Sequence, residues 1–118
     1  MKVLLAFALM MQAARPAPAL NPADYPQHKK LADNVYVWSD VHPSGLYTTN
    51  DLIVITTDGV LVADGQKDAE TTRKMIDGIA AMTRQPIKIV VMGSEHGDHT
   101  GGNAAFPADI TTIKSPMA

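Results

Sequence analysis

Ten residues toward the C-terminal end, Ser94-Glu95-His96-Gly97-Asp98-His99-Thr100-Gly101-Gly102-Asn103, hold two of the chain's four histidines beside two carboxylates. Neutral imidazole nitrogens and carboxylate oxygens are donors that zinc accepts at about 2.0–2.2 Å, and a loop threaded with glycines can aim them inward. Zinc held this way lowers the pKa of its water toward about 7 and polarises a carbonyl for attack by the resulting hydroxide. On composition alone a His-x-Asp-His run arises by accident in roughly one such sequence per hundred, so its setting matters as much as its letters. The competing reading is a polar loop whose Asp and His cap the helix that follows. The chain has no cysteine. Disulfides, thiolate zinc sites and Cys nucleophiles are therefore excluded, and any metal must be held by His, Asp or Glu.

The elements around this loop predict where it sits. Ile87 to Met92 is an almost unbroken apolar run ended by Gly93, as expected of a strand covered on both faces. Open α/β sheets place their chemistry in loops beyond such strand ends. Upstream, Thr72, Met75, Ile76, Ile79, Ala80 and Met82 recur at three- and four-residue steps. This predicts a helix capped by Asp68, with Glu70 in its first turn, Arg84 at its far end and Pro86 ending it. Leu52-Ile53-Val54-Ile55 and Val60-Leu61-Val62-Ala63 flank Asp58-Gly59, a hairpin signal. Leu31 to Ser39 alternates around Val35, Tyr36, Val37 and Trp38 and reads as a first strand. A short helical turn near Asn103 and a strand from Ile110 to Ile113 complete the order. Strands, helix, buried strand, loop and strand predict an α/β, or α+β sandwich, layer with a mixed sheet and a packed helix. The last strand would then lie exposed unless more structure covers it, so the unit reads as half a domain.

Lys2 followed by Val3 to Met11 has the charge-then-apolar order of a secretory signal and is too short to span a bilayer. Ala17-Pro18-Ala19 offers small residues for cleavage, with Ala14 a second candidate. We therefore expect residues 1–19 to be a signal peptide, 20–30 a proline-rich arm, and 31–118 a partial domain, periplasmic or secreted and free of the membrane after cleavage. Ten Lys and Arg against 12 Asp and Glu give a net charge of -2 without a basic stripe, which gives nucleic acid no electrostatic purchase. A small-molecule substrate is the expected partner.

Ser94-x-His96-x-Asp98-His99 at the end of a buried strand resembles the first metal motif, His-x-His-x-Asp-His, of the metallo-β-lactamase-fold hydrolases. The resemblance runs back through the helix to Leu61-Val62-Ala63-Asp64-Gly65, similar to the family's strand ending in aspartate, and covers about Val35 to Phe106. It implies the N-terminal half of an αββα sandwich with one or two zinc ions. His96 would bind the first, and Asp98 and His99 the second. Asp98 would also ligate or orient the attacking water, as the catalytic residue. Asp64 would be a carboxylate orienting a ligand histidine, or only the polar end of a strand. Ser94 stands where the family has a histidine, and a serine hydroxyl is a poor zinc ligand at neutral pH. No His follows His99, so the visible chain holds part of a site. The implied function is an exported zinc-dependent hydrolase acting on an ester, thioester, amide or lactam carbonyl. The alternative is a degenerate, non-catalytic domain with weak or no metal binding.

Other candidates read more simply. Glu95 as general base is disfavoured because neighbours on an extended segment point apart. His42, in a Pro-Gly loop, is a solvated loop residue or faces substrate. His28 beside Lys29 and Lys30 reads as a surface charge cluster. Tyr36 and Trp38 read as packing, and Met75 and Met82 as core.

Overall fold

The computed structural model describes residues 18–116. The expected signal peptide lies almost wholly outside them. Six strands form one mixed sheet in the spatial order of the sequence: β1 (Gln27–Ala32), β2 (Val35–Val41), β3 (Thr48–Thr56), β4 (Gly59–Ala63), β5 (Ile87–Met92) and β6 (Thr111–Lys114). β1 to β4 pair antiparallel, whereas β4, β5 and β6 run parallel. Parallel neighbours cannot be joined by a tight turn. The β4 to β5 connection accordingly carries α1 (Ala69–Met82), and the β5 to β6 connection carries the short α2 (Gly97–Thr100).

The expected first strand is two strands. Asp33-Asn34 breaks the alternation as a turn, with Asn34 at φ 61°, a left-handed conformation that Asn tolerates. The strand pairing therefore begins at Gln27, inside the stretch read as a proline-rich arm. His28 is part of edge strand β1, its ring stacked on Trp38 at 6.2 Å. Lys30 pairs with Asp33 at 2.8 Å.

α1 starts where the capping signal placed it. The Asp68 carboxylate accepts from the Thr71 N–H at 2.8 Å, and that bond holds its pKa below the usual carboxylate range. The helix ends at Met82 with Thr83 as its cap, so Arg84 lies beyond the last turn. Thr71, Thr72, Met75 and Ile79 are buried, while Ala80, expected on the same face, is exposed. The core is the layer between this face and the sheet: Trp38, Ile53, Val60, Val62 and Val90, with Phe106 closing one end.

The other sheet face is open among the described residues. Val37 pairs with Leu52, Leu52 with Ala63, Ala63 with Val91, and Val91 with Ile113, so these side chains share one face. Leu52 remains 39% and Ile113 50% exposed. β5 is thus flanked by strands on both edges but covered by α1 on one face only, which corrects the expectation of a strand buried on both faces. Its apolar run reflects that open face as well as the core.

Gly78 lets α1 approach the sheet. A Cβ built there would lie 2.3 Å from Cζ3 of Trp38. Overpacking costs about 1–3 kcal/mol, against roughly 1 kcal/mol that alanine gains over glycine in helix propensity. Gly78→Ala is therefore expected to lower stability by about 1–2 kcal/mol in urea unfolding. A raised midpoint would contradict this packing.

Candidate metal centre

Because β3 runs against β4, the loop between β2 and β3 lies at the same end of the sheet as the C-terminal ends of β4 and β5. Residues 64–68 and 93–103 meet there, and residues 42–47 lie at the same end. Asp64 follows β4 at φ 65°, a left-handed conformation that Asp, like Asn, adopts more readily than most residues. Its N–H donates to the Val91 carbonyl at 2.7 Å. Its Oδ1 accepts from the N–H of Gly93 at 2.7 Å and of Ser94 at 3.3 Å. One carboxylate thereby ties the end of β4 to the start of the motif loop.

The other oxygen of Asp64 faces the motif. Oδ2 lies 3.3 Å from Nδ1 of His99, and Asp98 Oδ2 lies 3.9 Å from Nε2 of the same ring. His99 is thus held between two carboxylates. The Asp64 contact is electrostatic rather than a hydrogen bond, since buried Nδ1 has no partner in line with it. The Asp64 carboxylate thus lies beside the ring without bonding to it.

His96 sits elsewhere in the loop. Its backbone carbonyl accepts from His99 N at 2.9 Å, Thr100 N at 3.1 Å and Thr100 Oγ1 at 3.0 Å, which starts α2. Its ring is exposed and has no hydrogen-bond partner among the described residues. The Ser94 hydroxyl accepts from His96 N–H at 3.2 Å, so it braces the loop. Glu95 is exposed.

As a metal centre these donors fit in part. Asp98 and His99 present an oxygen and a nitrogen side by side. No group of three or more His, Cys, Asp or Glu among the described residues is arranged to hold an ion. Catalytic zinc usually takes three protein ligands. The described side chains therefore do not by themselves form a closed zinc site.

The loop between β2 and β3 adds a rim. His42 N–H donates to the Tyr47 carbonyl at 2.9 Å, and their rings stack at 4.4 Å. Ser44 Oγ lies 2.9 Å from Nδ1 of His42, so this histidine is engaged within its own loop. Leu46, at 81% exposed, stands out at the tip.

A buried polar group behind the site escaped the sequence reading. Asp51 is fully buried on β3 and accepts a hydrogen bond from the Gln66 side chain. Burial pushes its carboxyl up to about 7, the Gln66 bond opposes this, and the carboxylates of Asp64 and Asp40 add to it. Lys67 Nζ lies 3.6 Å from Asp40. The available signal was parity: Asp51 falls two residues before Ile53 on the inward face, where a charged residue is out of place.

The motif loop packs directly on the segment before α1. Gly65 N–H donates to the His99 carbonyl and Gly102 N–H to the Gln66 carbonyl, both at 2.9 Å. A Cβ on Gly102 would lie 1.9 Å from Thr72 Oγ1 and 2.2 Å from the Asp68 carbonyl. Gly102→Ala is expected to cost about 2–3 kcal/mol in urea unfolding. Gly97→Ala, with nothing within 4 Å of the added atom, should stay within about 0.5 kcal/mol of the parent. Equal effects would contradict this packing.

No protein-family model and no curated protein matches the chain. Among solved structures it is similar to a metallo-β-lactamase from Erythrobacter litoralis with β-mercaptoethanol in the active site, at 24% identity and TM-score 0.68, over 76% of this chain and 41% of that one. A metallo-β-lactamase from Hirschia baltica matches at 22% identity and TM-score 0.68, over 77% and 43%. The metallo-β-lactamase FIM-1 from Pseudomonas aeruginosa, in its mono-zinc form, matches at 23% and 0.69, over 85% and 45%. The chain spans less than half the length of each. With its mixed sheet and packed helix, it has the metallo-β-lactamase fold and corresponds to the N-terminal half of that fold.

Proposed function

We propose that the chain is the N-terminal portion of an exported, zinc-dependent hydrolase acting on a carbonyl of a small ester, thioester, amide or lactam. The observation that carries this reading is the position of His99 between Asp64 and Asp98, at the C-terminal ends of two parallel strands. Open α/β sheets bind their ligands at such ends. Residues 1–19 would direct the protein to the periplasm or beyond the cell.

Asp98 and His99 would hold zinc, with His96 joining through its free ring and further donors coming from outside the described residues. Bound zinc supplies Lewis acidity, polarising a carbonyl and making hydroxide available near neutral pH. The chain's own residues do the positioning. Asp64 holds the His99 ring in place through Nδ1 while bracing the Gly93 and Ser94 amides. Asp98 offers an oxygen that can accept a proton from water. Ser94 keeps the His96 backbone in register, which leaves the first zinc position short of a donor. Leu46 and Tyr47 give the rim an apolar surface for the non-reacting part of a substrate.

Isothermal titration of zinc into the 118-residue chain tests this. Binding is expected, weakened by tenfold or more in both Asp98→Ala and His99→Ala. Asp64→Asn should weaken it about 10–100-fold, the usual effect of losing a carboxylate behind a ligand histidine. Binding unchanged by all three substitutions, or no binding, would overturn the reading.

A further inference from the structure

Gln66 is 1% exposed and hydrogen-bonds to three segments of the chain. Its side chain donates to Asp51 on β3. Its N–H donates to Thr72 Oγ1 on α1 at 3.1 Å. Its carbonyl accepts from Gly102 of the motif loop. Gln66 also lies two residues after Asp64. Its placement therefore bears on Asp64 through two residues of backbone and on the His99 loop through the Gly102 and Gly65 hydrogen bonds.

What anchors Gln66 is a carboxyl group in an unusual setting. Oδ1 of Asp51 is buried without a hydrogen-bond partner among the described residues, and so is Nε1 of Trp38 on the paired residue of β2. The charged groups facing Asp51 are Asp40 from β2 and Asp64 from the end of β4. Lys67, the nearby cation, is directed to Asp40. α1 turns only Thr71, Thr72, Met75 and Ile79 inward. An ionised Asp51 would thus be a buried anion facing two carboxylates, with one oxygen unpaired, a costly state that protonation relieves.

We propose that Asp51 is a proton-linked positioning residue: acting through Gln66, its carboxyl group sets how the Asp64 turn and the His99 loop sit against each other. It touches neither substrate nor metal. The assignment of a role at the centre rests on the hydrolase reading above, but its test requires neither zinc nor substrate, so the two can fail separately.

The sign of the effect follows from the two states. Unfolded Asp51 titrates near 3.8 and folded Asp51 near 7, so between these values the folded state holds the extra proton. Stability is fully present below the lower value and falls as pH rises toward 7, by up to about tenfold per pH unit in the folding equilibrium constant.

Carbon-13 carboxyl NMR of the 118-residue chain reads the titration directly. Asp51 is expected to titrate near neutrality, and a midpoint near 4, the ordinary aspartate value, would overturn the proposal. The Gly102 amide should move with the same midpoint in the parent and hold still in Asp51→Asn, an isosteric change that keeps the amide acceptor. A Gly102 amide that moves unchanged in Asp51→Asn would also overturn it. Urea unfolding between pH 4 and 7 should lose its Asp51-dependent slope in the same variant.

Discussion

The carboxylate of Asp64 is the tie on which the site end of the molecule depends. One oxygen takes the Gly93 and Ser94 amides as they leave β5, and the other faces the His99 ring. Amides leaving a strand end lose their ladder acceptors, and the left-handed turn at Asp64 aims one carboxylate at two of them. An apolar side chain there would leave those two amides without this acceptor. The same residue therefore follows the end of one strand and braces the loop that leaves another.

That tie is effective because the surrounding loops have no slack. Gly102 rests against the Asp68 carbonyl and the Thr72 hydroxyl, with Gln66 bonded across the seam. Gly78 likewise admits the Trp38 ring. Close backbone approach, rather than a large apolar core, sets the distance between helix, sheet and motif loop. The core itself is thin, one layer between α1 and a single sheet face. The uncharged face formed by Val37, Leu52, Ala63, Val91 and Ile113 is the natural seat for the second sheet of a sandwich.

The price of this arrangement is polar burial. Asp40, Thr49, Asp51 and Gln66 occupy inward positions near the site, where a purely apolar core would be more stable. Asp40, through Lys67, and Asp51, through Gln66, connect β2 and β3 to the loop before α1. Positioning and stability pull in opposite directions here, as they commonly do next to functional sites.

Local signals made much of this legible from the amino-acid order. Asp68 capping α1, the Asp58-Gly59 hairpin and the Ile87–Met92 strand ended by Gly93 depend on neighbours in the chain, and the structure has them. The motif was visible as chemistry, and the likeness to the metallo-β-lactamase fold rested on it. Tertiary contacts decided the rest. The edge strand at Gln27–Ala32 exists because β2 offers it an open ladder, which no pattern in its own polar residues announces. His99 was brought beside Asp64 by the Asp64–Gly93 and Gly65–His99 hydrogen bonds, contacts spanning some thirty residues. Asp51 became a buried acid only because sheet pairing and Gln66 enclosed it. Periodicity reports which face a residue takes, but which distant groups meet it there is set by packing.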